Sequence, residues 1–130
     1  MRAIPGIALA LVLASGALAK VPLRDVAEID NSLMAVAIAD EIRKTCDGIS
    51  ARMFRALGVL NALKNHARDL GYTDDEIEAY VTSKAEKARM RDKATAYLAE
   101  RGVVADDKSQ LCAFGREEIA RGGPIGDLLR

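Results

Sequence analysis

The sequence predicts a small all-α domain, with four helices in a bundle-like arrangement, that follows a cleavable signal peptide. Tryptophan is absent and only 4% of the residues are aromatic, so the core must be built mainly from Leu, Ile, Val, Met and Ala. That composition favours helices over a sheet. Apolar residues recur every three or four positions through most of the chain. Glycines then divide the chain into segments of helical length.

A secretory signal is predicted in residues 1–19. Arg2 precedes an apolar run from Ile7 to Leu13, and Ala17-Leu18-Ala19 provides a cleavage site with small residues. The uninterrupted apolar run is too short for a membrane-spanning helix, which needs about 20 apolar residues. We therefore expect a single mature domain over residues 20–130, in the periplasm or secreted, with no stable membrane insertion after the signal is removed.

The charge of the mature segment is close to neutral. The whole chain has 19 basic and 19 acidic residues, so removal of Arg2 leaves a net charge of about −1 at neutral pH. This balance requires neither nucleic acid nor an anionic membrane as a partner. No nucleic-acid partner is therefore expected.

The first helix is predicted to begin at the Asp30-Asn31-Ser32 cluster, which offers an N-cap, and to end at Asp47-Gly48. The second is predicted to begin near Ser50 and to end at Leu70, with Gly71 as its C-terminal cap. One continuous apolar stripe runs along this second helix, as is typical of a helix that packs on a core. The stripe consists of Ile49, Met53, Leu57, Leu60, Leu63, Ala67 and Leu70.

The third helix begins at a clear capping box, Thr73-Asp74-Asp75-Glu76, and is predicted to continue to Arg101. Its two apolar strips are rotated from each other, so the helix is expected to bend or to contact two partners. The fourth helix is predicted from Asp107 to Arg121. The tail from Ile125 to Leu129 is predicted to pack back on the core as an apolar clip.

Two charged clusters have both a structural and a functional interpretation. The middle of the third helix could dock an acidic partner, but a solvated face with pairs such as Glu86 with Arg89 is the favoured interpretation. This segment contains Lys84, Glu86, Lys87, Arg89, Arg91, Asp92 and Lys93. The acidic cluster Asp74, Asp75, Glu76 and Glu78 could suggest a cation site. Its place in the first turn of a helix favours a structural role at the positive end of the helix dipole.

Cys46 and Cys112 are the two cysteines of the chain. In an exported protein with two cysteines, one intramolecular disulfide is expected. Closing a loop of about 65 residues should stabilise the fold by ~4 kcal/mol if the bond acts on the entropy of the unfolded chain. A redox pair is the alternative, but the spacing is not that of a Cys-x-x-Cys motif.

Catalytic and metal-binding patterns are not recognisable in the sequence. His66 is the single histidine, whereas a zinc site needs three or four ligands. It is expected on the helix surface near the end of the second helix, where the dipole favours its protonated form. We therefore expect a non-enzymatic protein with no catalytic, cofactor-binding or metal-binding residue and no cofactor.

Three blocks of sequence carry a family resemblance. They are Ala39-Asp40-Glu41-Ile42-Arg43-Lys44-Thr45-Cys46 with Ile49-Ser50-Ala51-Arg52-Met53, then Gly71-Tyr72-Thr73-Asp74-Asp75-Glu76-Ile77-Glu78-Ala79-Tyr80-Val81, and Cys112-Ala113-Phe114-Gly115-Arg116. With these blocks, nearly the whole mature chain resembles a family of short exported bacterial proteins classed only as a domain of unknown function. The resemblance implies a signal peptide, an all-helical domain and the two-cysteine pattern. It implies no activity and no site residue.

Three classes of function remain open. The leading hypothesis is a periplasmic accessory or protein-binding module that holds an unidentified envelope protein on one helix face. The second is an acid-responsive periplasmic chaperone, because protonation of the carboxylates would make the chain strongly positive and loosen its packing. The third is a small inhibitor or immunity protein directed against an envelope-acting enzyme.

Overall fold

A computed structural model describes residues 20–130, and the predicted signal peptide in residues 1–19 lies outside this described part. Five α-helices and two short 3-10 turns make up the fold. The helices are α1 (Ala27–Thr45), α2 (Met53–Asp69), α3 (Asp74–Thr82), α4 (Lys84–Glu100) and α5 (Lys108–Arg121), and the turns are Leu23–Asp25 and Gly126–Leu128. Helices account for 74% of the described residues, which contain no strand, so the all-α class is confirmed.

Helix α1 is the centre of the molecule. It contacts α2, α4, α5 and both 3-10 turns. Its buried face carries Met34, Ala35, Ile38, Ala39 and Ile42. Leu98 of α4 and Leu111 and Phe114 of α5 complete this main core. None of the helices between residues 20 and 130 has the length and apolarity of a membrane span.

A second, smaller apolar cluster fixes α3 and the first described residues to the other end of α1. It consists of Leu23, Ile29, Ala67, Tyr72 and Ile77. The Tyr72 hydroxyl donates a hydrogen bond to the Val21 carbonyl oxygen. The two clusters hold α2 and α3 beside each other along one side of α1.

The predicted third helix is two helices in the structure. Ser83 has extended backbone angles, φ −62° and ψ 126°, and therefore ends α3 at Thr82. Its side chain accepts a hydrogen bond from the Glu86 backbone N–H at 3.2 Å and so caps α4. The predicted capping box of Thr73 and Glu76 is confirmed at the start of α3. The interruption at Ser83 explains why there are five helices instead of the predicted four.

Helix α1 begins at Ala27 and not at the predicted cluster Asp30-Asn31-Ser32. Val26 is its N-cap, without a side-chain hydrogen bond. The Asp30 carboxylate is buried and bonds to side chains of α3 and α4. The prediction that this cluster supplies the N-cap is therefore wrong, because Asp30 finds stronger partners in the tertiary structure than a free backbone N–H.

Helix α2 begins at Met53, three residues after the predicted start near Ser50. Ser50 and Arg130 instead exchange backbone hydrogen bonds of 2.8 and 2.9 Å, beside an isolated antiparallel bridge between Ala51 and Leu129. These bonds hold the chain before α2 in an extended conformation. They also attach the C-terminal tail to the start of α2.

The predicted C-terminal clip is confirmed. Ile125, Leu128 and Leu129 are buried in the main core. Gly126 lies so close to α5 that a Cβ atom there would be 1.8 Å from the Glu118 carbonyl oxygen. Only glycine allows this approach, which brings the tail across the end of α5 and back towards α2.

Candidate protein-docking surface

The outer side of α2 exposes several large apolar side chains. Phe54 is 93% exposed, and Met53 and Leu57 are 56% and 52% exposed. Leu60 is also exposed. Helical spacing of three or four residues makes these side chains neighbours, and we call Met53, Phe54, Leu57 and Leu60 the α2 face. Contiguous exposed apolar surface of this kind marks interaction sites.

The apolar stripe predicted for the second helix is buried only in part. Ala67 is the one residue of α2 that is fully buried. Helix α2 contacts α1, α3 and the C-terminal 3-10 turn, and within the described chain these neighbours cover only one side of it. The apolar residues occupy a wider sector of the helix than these neighbours cover, so Met53, Leu57 and Leu60 remain at the surface.

A cleft between α2 and α3 adjoins the α2 face. Its volume is about 500 Å³, which is within the usual range for ligand pockets. Leu60 and Leu63 form its α2 wall, and Ile77 and Val81 form its α3 wall. Because Leu60 belongs to both features, one apolar surface continues from Phe54 into this α2–α3 cleft.

Charged residues lie at both ends of α2 around this surface. Arg52 and Arg55 stand at its beginning, where they donate hydrogen bonds to the backbone carbonyl oxygens of Leu129 and Asp127. Near the end of α2, the rim of the cleft carries Lys64 from α2 and the acidic residues Asp74, Asp75 and Glu78 on the α3 side. Asp74 pairs with Arg68 at 2.7 Å. Within residues 20–130, Arg52, Arg55, Asp75 and Glu78 have no ion-pair partner within 4.0 Å.

Asp30 is the centre of a buried ionic network that the sequence analysis did not find. The residue is 1% exposed. Arg89 donates to its carboxylate at 2.6 and 3.1 Å, and Lys93 donates at 2.6 Å. The Tyr80 hydroxyl donates a fourth hydrogen bond. The network ties α1 to α3 and α4.

The network keeps Asp30 ionised. Burial alone raises the pKa of the Asp30 carboxyl, but hydrogen bonds from Arg89, Lys93 and Tyr80 outweigh burial and lower this pKa to about 2. Burial and the bond to this carboxylate raise the pKa of the Tyr80 hydroxyl. The position of Asp30 contained a usable signal, because residues 30, 34, 38 and 42 have the spacing of one buried helix face.

The basic segment predicted as a possible docking face does not act as one surface. Arg89 and Lys93 turn inward to Asp30, whereas Lys84, Lys87 and Arg91 are exposed. The predicted pair of Glu86 with Arg89 is confirmed at 2.8 Å. Two of the five basic residues of this segment therefore belong to the interior network.

The acidic cluster lies in the first turns of α3, as predicted. Glu76 completes the capping box and also pairs with Lys20 at 3.0 Å. The hydrogen bond from Arg68 lowers the pKa of the Asp74 carboxyl. These contacts assign Asp74 and Glu76 structural roles and leave Asp75 and Glu78 facing solvent.

Cys46 and Cys112 lie at bonding distance, with their sulfur atoms 2.07 Å apart. The bond joins the end of α1 to α5 inside the main core. His66 is half-buried near the end of α2, and its Nε2 atom lies 2.8 Å from Glu28 Oε2. Among residues 20–130, no group of three His, Cys, Asp or Glu side chains is arranged to hold a metal ion.

Residues 21–130 match a family described as a family of unknown function, DUF5333. The chain belongs to the DUF5333 family. Comparisons with curated proteins and with solved structures gave no match. Membership in DUF5333 agrees with the resemblance seen in the three sequence blocks. It assigns no activity, so the function of this DUF5333 chain has to be inferred from its own surface.

Proposed function

We propose that this protein is an exported, non-enzymatic protein-binding module that holds its partner on the α2 face and in the α2–α3 cleft. The observation that carries the proposal is the 93% exposure of Phe54 among other apolar residues of one helix. Single exposed apolar side chains are ordinary. Four on one face, next to an apolar cleft, are typical of an interface, and aromatic residues dominate interface energetics.

Site-specific photocrosslinking tests this function. A photoreactive amino acid in place of Phe54, in the protein expressed in its host, is expected to form a covalent adduct with another polypeptide. The same substitution at Val104, which is 56% exposed but lies outside the α2 face, serves as the control and is expected to form at least tenfold less. Equal labelling from the two positions, or none from Phe54, would contradict the proposal.

The proposal of export rests on residues 1–19 and on the cysteine pair. A buried disulfide supports a periplasmic or extracellular location, because disulfides persist in oxidising compartments. Intact mass spectrometry of the protein isolated from its host is expected to show an N-terminus at Lys20 and a mass two hydrogens below that of the dithiol. A chain that retains residues 1–19, or that contains two free thiols, would contradict export.

A small inhibitor or immunity protein would be one form of such a module, with an envelope-acting enzyme as its partner. The acid-responsive chaperone has less support. The buried ionic network of the protein depends on Asp30. The pKa of its carboxyl group, about 2, keeps Asp30 charged in mild acid, so the network would not loosen there. The α2 face is also exposed without any acid-induced change.

A further inference from the structure

The α2–α3 cleft is closed at one end and open at the other. Helices α2 and α3 are joined by the short connection 70–73, which makes them antiparallel neighbours. Beside this connection, Arg68 of α2 and Asp74 of α3 pair across the cleft at 2.7 Å. At the other end α3 stops at Thr82, whereas α2 extends past it to Met53. The apolar surface therefore runs out of the cleft onto a part of α2 that α3 does not cover.

Two exposed charges of opposite sign stand on the two rims of the cleft without forming a pair. The contact of Arg68 with Asp74 sets the antiparallel register of the helices. One helical turn further from the connection, this register places Lys64 of α2 opposite Glu78 of α3, and both line the cleft. Within the part of the chain that the structure describes, neither has an ion-pair partner within 4.0 Å. The cleft thus separates a basic α2 rim from an acidic α3 rim.

The walls of the cleft favour a helix as its occupant. Both walls are α-helices, whose backbone N–H and C=O groups are hydrogen-bonded within each helix and offer no edge to an extended strand. An extended segment in the cleft would leave its own backbone groups without partners, whereas a helix satisfies them internally. An amphipathic helix that lays its apolar side in an apolar groove is a recurring mode of protein recognition.

The exposed apolar side of α2 gives the length of the occupant. Met53, Leu57 and Leu60 are spaced by four and three residues, so they form one line that leads into the cleft. Phe54 lies about 100° further round the helix than Met53 and flanks this line. From Met53 to Leu63, α2 rises about 15 Å, so a helix of about three turns would cover both the line and the cleft. A small molecule in the cleft would leave Met53 and Leu57 uncovered.

We propose that the partner of this surface is an amphipathic α-helix of another protein, which lies in the α2–α3 cleft and continues along Met53, Leu57 and Leu60. An acidic side chain on one flank of this helix meets Lys64, and a basic side chain on the other flank meets Glu78. These charges fix the direction of the bound helix, because its reversal exchanges the two flanks. The inference rests on the proposed function, since it gives the chemistry of the partner that the same surface holds.

Photocrosslinking from two positions tests the helical form of the partner. A photoreactive amino acid replaces Met53 in one variant and Val81 in another, in the complete protein expressed in its host. Val81 lies on the α3 wall opposite residue 61, so the two positions are about 12 Å apart along α2. Mass spectrometry of the adducts is expected to find one partner segment, labelled at sites about eight residues apart. An extended segment would be labelled at sites about four residues apart, and this spacing overturns the inference.

Model peptides test the charges of the two rims. Three helical peptides of about 18 residues share one leucine face and carry Lys on one flank with Glu on the other, Lys on both flanks, or Glu on both flanks. The wild type is expected to bind the first peptide about tenfold more tightly than either of the others, as measured by fluorescence anisotropy. Lys64→Glu should change the preference to the peptide with Lys on both flanks. Glu78→Lys should change it to the peptide with Glu on both flanks.

Arg116→Glu is the matched control, because it changes the net charge as Lys64→Glu does but lies on α5, outside the cleft. It should keep the preference of the wild type. Equal affinities for the three peptides, or no binding of any of them, overturn the inference. Adducts of Met53 and Val81 variants with different polypeptides, or no adducts, also overturn it. If a photoreactive group at position 54 still labels another polypeptide, the protein-binding function stands without the bound helix.

Discussion

Arg89→Met is expected to lower the free energy of unfolding by about 2–3 kcal/mol, because the buried Asp30 carboxylate loses its hydrogen bonds from the guanidinium group and keeps Lys93 as its one opposing charge. The guanidinium group supplies two hydrogen bonds to this carboxylate, of 2.6 and 3.1 Å. Methionine replaces the apolar part of the arginine stem but none of the charge. Tyr80 and Lys93 still donate to one carboxylate oxygen each, but Lys93 is then the one positive charge that faces the carboxylate. Urea unfolding measures the loss.

Arg91→Met is the matched control on the same helix. Arg91 is exposed and makes no salt bridge within the described residues, so its replacement should change the unfolding free energy by no more than about 0.5 kcal/mol. In the double variant Asp30→Asn/Arg89→Met, the loss of unfolding free energy should be smaller than the sum of the losses in Asp30→Asn and Arg89→Met, because both single substitutions break the same ion pair. Losses that simply add would contradict the network.

The same network gives a pH signature. The pKa of the Asp30 carboxyl is about 2 in the folded protein against an ordinary value of 3.8. Because folding lowers this pKa, the stabilisation is fully present above about pH 4 and is lost as the pH falls towards 2. At about 1.4 kcal/mol per unit, the amount is about 2 kcal/mol. The difference in unfolding free energy between the wild type and Arg89→Met should narrow across this interval.

Local signals in the sequence predicted the parts of the fold that local interactions determine. The capping box of Thr73 and Glu76 requires only four consecutive residues, and the structure confirms it. The break at Ser83 carried the same kind of signal, because Ser83-Lys84-Ala85-Glu86 has capping-box spacing. It was missed because apolar residues recur on both sides of it, so the periodicity alone indicated one long helix.

The α2 face could not be predicted from periodicity. A stripe such as Met53, Leu57 and Leu60 shows which side of a helix is apolar, but its burial depends on how many other elements pack on that side. Asp30 is the opposite case, because it is a charged residue that is buried. Its residue type and its place near a helix start favoured an N-cap, and only the positions of Arg89 and Lys93, about sixty residues away in sequence, determine that it is buried.

The disulfide closes a loop that contains α2, α3 and α4. Cys46 ends α1 and Cys112 lies in α5, with a sequence separation of 66. These two helices also approach each other closely without the bond, since a Cβ atom on Gly115 would be 2.8 Å from Ile42 Cγ2. The bond therefore adds little order to the folded state. Its main effect is to restrict the unfolded chain.

Replacing both cysteines, Cys46→Ala with Cys112→Ala, is expected to lower the free energy of unfolding by about 4 kcal/mol. The slope of unfolding free energy against urea should rise, because the unfolded chain without the cross-link exposes more surface. The reduced wild type is the control, since it loses the bond but keeps both sulfur atoms in the core. It should account for most of the loss, with the remainder due to packing. A loss below about 1 kcal/mol in both proteins would show that the unfolded chain is already held compact without the bond.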